Sequence, residues 1–137
     1  MVAGDYSCNN NAPAALGLGS IAGLGLGTRS GNSWVRIERG QVQGSSYIEV
    51  NWVDPGEPGH PIHVNWLPSD ITSGFLQLAY DGTDVTFFYR ANAADPWTQM
   101  ILTGQNGQPL LVDGKTLPLV ITPGWGAAVP IFISAVT

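Results

Sequence analysis

Charge is scarce in this chain. Only 11 % of its 137 residues are Asp, Glu, Lys or Arg, the net charge is −5, and Lys115 is the lone lysine. A nucleic-acid partner would require a basic stripe to neutralise phosphates, and an anionic membrane surface would require a basic patch. Neither partner is expected. Gly, Asn, Ser and Thr carry much of the solubility instead, a surface composition common among secreted and virion proteins, so the expected location is extracellular or on a virion or cell surface. Cysteine is scarce too. Cys8 stands alone, which rules out a disulfide within the chain. It is read as an unpaired thiol, with a bond to another chain as the sharper alternative. Long apolar runs are missing as well: nothing approaches the roughly 18 apolar residues of a membrane helix. The N-terminus, MVAGDYSCNNNAPAALGLGSIAGLGLG, has no basic region ahead of its apolar part and interrupts that part with glycine, so it does not read as a signal peptide.

Helical periodicity is the last absence. No window of a dozen residues keeps an i, i+3, i+4, i+7 apolar pattern free of Gly or Pro, because 18 glycines and 10 prolines punctuate the chain. What is there is short alternating runs between turn signals, the pattern of an all-β sandwich or barrel. Nine or ten strands are expected in a single domain spanning 1–137, with residues 1–15 as a loosely structured N-terminal arm.

Several runs assign faces. In LGLGSIAGLGLG (16–27), Leu16, Leu18, Leu24 and Leu26 alternate with glycine, and glycine in a strand marks close approach of another backbone. The G-x-G-x-x-A within it lacks the strand and helix that a dinucleotide site needs. In SWVRIER, Val35 and Ile37 point one way and Trp34, Arg36 and Glu38 the other. In YIEVNWV, Ile48, Val50 and Trp52 oppose Tyr47, Glu49 and Asn51. The short linker predicts an antiparallel hairpin, and charge pairing favours Arg36 opposite Glu49 over Glu38 opposite Glu49. In FLQLAYDGTDVTFFYRANAADPWTQ, a hairpin turning at Asp81-Gly82 puts Leu76, Leu78, Tyr80, Val85, Phe87 and Tyr89 on a core face, with Phe75, Gln77, Phe88 and Arg90 behind it. LLVDGKTLPLVI reads as a hairpin over Asp113-Gly114. The closing run puts Val129, Ile131, Ile133 and Ala135 on one face, with Pro130 at an edge or bulge.

The 75–99 stretch resembles a hairpin of concanavalin A-like, laminin G-like jelly rolls through Leu76, Leu78, Asp81, Gly82, Phe87, Tyr89, Trp97 and Thr98. AGLGLGTRSGNSWVRIERG is similar to the strand pair that precedes it in that family, and the resemblance covers roughly residues 22–100. It implies an antiparallel two-sheet jelly-roll sandwich, with glycans bound on the concave face or at the loop rim. Family members carry further strands upstream, so either the sandwich is compact or a partner chain, such as a second copy in a homo-oligomer, completes the sheet.

Sugar recognition calls for an aromatic platform and planar polar groups. The side away from the core supplies candidates: Trp34, Arg36, Glu38, Tyr47, Glu49, Asn51, Gln77 and Arg90. The leading expectation is therefore a non-catalytic, lectin-like module. A structural or assembly subunit using strand edges is the alternative, and a glycoside hydrolase the third. Glu38 and Glu49 could span a glycosidic bond, but the chain lacks the E-x-D-x-x-E of hydrolases with this fold, and arginine partners would lower both pKa values. No catalytic residue is assigned, and no G-x-S-x-G elbow is present. His60 and His63, with Asp54 and Glu57 nearby, fall short of a convincing zinc set. Calcium, common in the family, has only scattered turn carboxylates at Asp81, Asp84, Asp95 and Asp113, each explained by its turn. No cofactor is expected.

Overall fold

The computed structural model describes residues 2–9, 20–28, 32–42, 45–54, 56–70, 73–125 and 131–136. Among them there is no helix, and twelve strands follow one another: β1 (Val2–Asn9), β2 (Ser20–Thr28), β3 (Trp34–Val42), β4 (Ser45–Val53), β5 (Ile62–Pro68), β6 (Ser73–Tyr80), β7 (Val85–Arg90), β8 (Thr98–Gln99), β9 (Leu111–Val112), β10 (Lys115–Thr116), β11 (Val120–Ile121) and β12 (Ile131–Val136). The first sheet runs β1-β6-β7-β11, with β8 also pairing β7; the second runs β12-β2-β3-β4-β5; β9 and β10 form a separate hairpin. All of these pairings are antiparallel.

Alternation sets the faces of both sheets. Leu24, Leu26, Val35, Ile37, Ile48 and Val50 from the second sheet bury in the same cluster as Leu76, Leu78, Tyr80, Val85, Phe87 and Ile121 from the first. Tyr89 and Trp52 pack against it, half-buried. Burying one such side chain is worth about 1.5–3 kcal/mol, so the cluster dominates the folding energetics. Trp125 closes it: its indole Nε1 donates to Ser33 Oγ at 2.6 Å, and its ring meets Tyr80 edge-on at 5.4 Å. One charged residue has core parity. Arg39, 1 % exposed, lies in register with Ala22 and Ile48.

The turns follow their chemistry. Gly82 takes a φ of 101° between β6 and β7, and Asp81 Oδ1 accepts from the Thr83 and Asp84 amides at 2.9 and 2.8 Å. Asp113 and Gly114, with φ of 52° and 76°, make the two-residue turn of the β9–β10 hairpin, as type I′ geometry requires.

Three expectations need correction. Residues 2–9 are not a loose arm: β1 pairs with β6 from Val2↔Tyr80 to Asn9↔Ser73. The edge of β6 left open by β7 offers a row of backbone donors and acceptors, and an extended N-terminus satisfies them. WTQMIL is strand only at Thr98–Gln99; beyond it come isolated bridges, Ile101↔Pro118 and Thr103↔Pro109, whose proline partners cannot donate to a continuing ladder. The β3–β4 register sets Arg36 opposite Asn51 and Glu38 opposite Glu49, so the charge-paired alignment is not formed. The observed register ends at Val42↔Ser45. In it Asn51 bridges the two facing carboxylates, which offsets their like charge. Leu16, Leu18, Val129 and Pro130, singled out from the sequence, lie outside the described residues.

Candidate functional site

The second sheet carries a group of polar and aromatic side chains on the face away from the core cluster. Register arranges them in rows. Glu38, Glu49 and Trp66 form one row across β3, β4 and β5; Arg36, Asn51 and Val64 form the next; Trp34, Val53 and Ile62 the third. On β2 the corresponding positions are Gly23, Gly25 and Gly27. The Leu-Gly alternation thus has a use within the chain: the leucines bury and the glycines let β3 side chains lie close. A Cβ on Gly23 would come within 2.7 Å of Glu38 Cβ, and one on Gly27 within 2.9 Å of Trp34 Cβ.

Asn51 ties the carboxylates together. Its Nδ2 donates to Glu38 Oε1 at 2.5 Å and to Glu49 Oε1 at 2.8 Å. Glu38 is 6 % exposed and Asn51 4 %. Arg36 Nη1 stands 4.0 Å from Glu38 Oε2, too far for a hydrogen bond, and its guanidinium lies over the Trp34 ring at 4.7 Å. Burial therefore prevails: it pushes the Glu38 carboxyl above its ordinary range against the lowering effects of Asn51 and Arg36, and Glu49 adds to the rise. The expectation that arginine partners depress these acids is overturned for Glu38. Two polar atoms here, Glu38 Oε2 and Asn51 Oδ1, are buried without a hydrogen-bond partner. Tyr47 lies alongside, its ring over Gly40, and burial followed by Glu49 and Glu38 raises its phenol pKa.

These residues border open space. A groove of about 450 Å³ is lined by Ser45, Tyr47, Glu49, Val64 and Trp66. A second, of about 360 Å³, is lined by Val64, Trp66, Thr103, Gly104 and Gln105. Trp66 and Val64 belong to both, so the indole stands between them. Gly107, φ 70°, packs on that indole so closely that a Cβ would approach Cζ3 to 2.8 Å. Asn65 holds the neighbouring loop: its Nδ2 donates to the Ile101 carbonyl at 3.0 Å, and its Oδ1 accepts from the Thr103 amide at 2.9 Å.

Of the residues expected to bind ligand, Trp34, Arg36, Glu38, Tyr47, Glu49 and Asn51 come together on β3 and β4. Gln77 and Arg90 are placed on the first sheet instead, in register with Phe88 and Phe75. There the Arg90 guanidinium lies 4.1 Å from the Trp97 ring centroid and 5.2 Å from that of Phe75, and Nη1 donates to the Asp95 carbonyl at 3.3 Å. Sequence reasoning missed Trp66, Val64, Thr103 and Gln105. The parity of VNWL would have put Trp66 on the Glu49 face once β4 and β5 were paired.

The other candidates take local roles. His63 Nε2 meets Glu57 Oε2 at 2.6 Å and stacks on Trp52 at 5.3 Å, while His60 is exposed. Among the described residues no group of three His, Cys, Asp or Glu could hold a metal ion. Asp84 accepts from Thr122 Oγ1 at 2.6 Å, and Asp95 Oδ2 accepts from the Asn92 amide and side chain at 3.0 Å each. No family model, curated protein or solved structure matches the chain.

Proposed function

We propose that this chain is a non-catalytic carbohydrate-binding module acting outside the cell, built as a concanavalin A-like jelly-roll sandwich of the two five-stranded sheets. The sandwich reading is supported by contacts of β6 with β2 and β3 and by the core that draws on both sheets. The observation that carries the binding reading is the groove where Tyr47 and Trp66 flank the Glu49 carboxylate. Aromatic rings suit the C–H faces of a sugar, and a planar carboxylate held by a neighbour suits its hydroxyls. Hydrolysis is less well served. A glycosidase holds its two carboxyls on either side of the scissile bond, whereas Asn51 Nδ2 bonds Glu38 and Glu49 together, and Glu38 is buried. A glycan array probed with the wild-type protein and with Trp66→Ala tests the reading: signals present in the first and absent in the second support it, and an array blank for both counts against it.

One observation favours the alternative, an assembly subunit. Leu110, Leu111, Val112, Leu117 and Val120 are exposed on and beside the β9–β10 hairpin. Apolar side chains grouped in this way mark protein contacts more often than free surface. Sedimentation of the wild-type protein against Leu111→Ser/Val112→Ser separates the readings. A large assembly that dissociates in the double variant favours assembly, and a monomer in both cases disfavours it.

A further inference from the structure

Resting on the carbohydrate-binding reading, we infer that the ligand is an extended, non-acidic oligosaccharide chain that crosses Trp66, with one subsite beside Tyr47 and Glu49 and a second beside Thr103 and Gln105. Three observations lead there. First, the two grooves share Trp66 and Val64 as a common wall, so they continue one another across β5. A single sugar resting on one side would leave the other groove empty. Val64, 52 % exposed, keeps the passage between them apolar and open to solvent.

Second, the far groove holds an unused polar group. Thr103 is only 9 % exposed, and its Oγ1 is buried with no hydrogen-bond partner. Leaving a buried hydroxyl unpaired costs about 1–3 kcal/mol, a cost that a ligand hydroxyl reaching it would relieve. The Asn65 clamp on Ile101 and Thr103 holds this backbone in place before ligand arrives, and Gly107 seats the indole, so little ordering remains to be done on binding.

Third, charge sets the class of sugar. Among the described residues Glu49 is the one charged side chain lining either groove, and the net charge of the chain is −5. Arg36, in the row of Asn51 and Val64, lines neither groove, and its guanidinium lies over the Trp34 ring. Uronic or sialic acids would meet a carboxylate with no cation among the described lining residues to offset it, while neutral sugars and amino sugars would meet an acceptor.

The test is calorimetric titration of the full chain with three linear series of one to six residues: neutral glucans, chitin and chitosan oligomers, and oligogalacturonides. Affinity in a neutral or amino-sugar series should rise about tenfold or more between the monosaccharide and the tetrasaccharide. Thr103→Val and Gln105→Ala should erase most of that rise while leaving the monosaccharide unaffected. Thermal melts of both variants confirm that they fold. Equal affinity for short and long chains, a tetrasaccharide affinity unchanged in both variants, or oligogalacturonides bound as tightly as neutral chains would overturn the inference while the binding module stands. No binding in any series overturns both.

Discussion

Glu38 stands directly opposite Glu49 on neighbouring strands, and the two share one donor, Asn51 Nδ2. Like charges facing each other across a ladder destabilise it. Here the cost is reduced by burial, which favours the protonated form of Glu38, and by the amide that serves both acids.

That arrangement has a pH signature. The Glu38 carboxyl is raised above its ordinary 4.5 in the folded state. The folded chain then binds more proton than the unfolded one between the two values, so stability falls with rising pH. The contribution is fully present below pH 4.5 and is lost as pH climbs through the folded value. Glu38→Gln, which mimics the protonated acid, should flatten the profile and gain on wild type as pH rises. Urea titrations at half-unit steps from pH 4 to pH 8 measure this. Parallel profiles for the two proteins would contradict it.

Gly40→Ala should weaken ligand binding without unfolding the chain. A Cβ there would stand 2.1 Å from Tyr47 Cζ, so the phenol ring must swing away from its present place on the groove wall. The obstructing atoms are the far end of a side chain, so the fold gives way easily. A melting temperature within a few degrees of wild type, with a several-fold loss of affinity for any glycan that binds, is the expected pair of results.

Asn65→Ala should cost about 1–3 kcal/mol, because the Thr103 amide and the Ile101 carbonyl each lose a partner in a largely dry setting. The denaturation midpoint should drop with an unchanged slope. Hydrogen exchange should speed up at Thr103 ahead of the core strands.

Arg90→Ala separates the two sheets functionally. Loss of the stacking on Trp97 and Phe75 should destabilise by about 0.5–2 kcal/mol. Glycan affinity should stay the same, since Arg90 lies on the first sheet and lines neither groove. A matched loss of affinity would return Arg90 to the site.

Parity and the hairpins of β3–β4, β6–β7 and β9–β10 were legible in the sequence; register and the pairing of β1 were not. Leu76, Leu78, Tyr80, Val85 and Phe87 could be assigned to the core because a half-buried strand buries every second residue. The same rule put Glu38, Glu49 and Asn51 on one face. Register depends on partners as well, and charge alone gives no weight to Asn51 as a bridge between two acids. Trp66 was missed for a related reason. Its face follows from parity, but its place beside Glu49 exists only once β5 lies against β4. β1 escaped notice because VAGDYSCN alternates weakly, and its strand state comes from the open edge of β6. Arg39 went unmarked because a charge at core parity runs against the usual pattern of burial.

The β3–β5 face is proposed to bind sugar through Trp66. Isotope-labelled protein titrated with the best-binding oligosaccharide offers the most direct measurement, read as chemical-shift changes along the backbone and at the Trp66 indole N–H. Saturable shifts at Tyr47, Glu49, Val64, Trp66 and Thr103, with none at Gln77 and Arg90 and none anywhere in Trp66→Ala, are expected. Shifts centred on the first sheet, or undiminished in Trp66→Ala, would contradict the account.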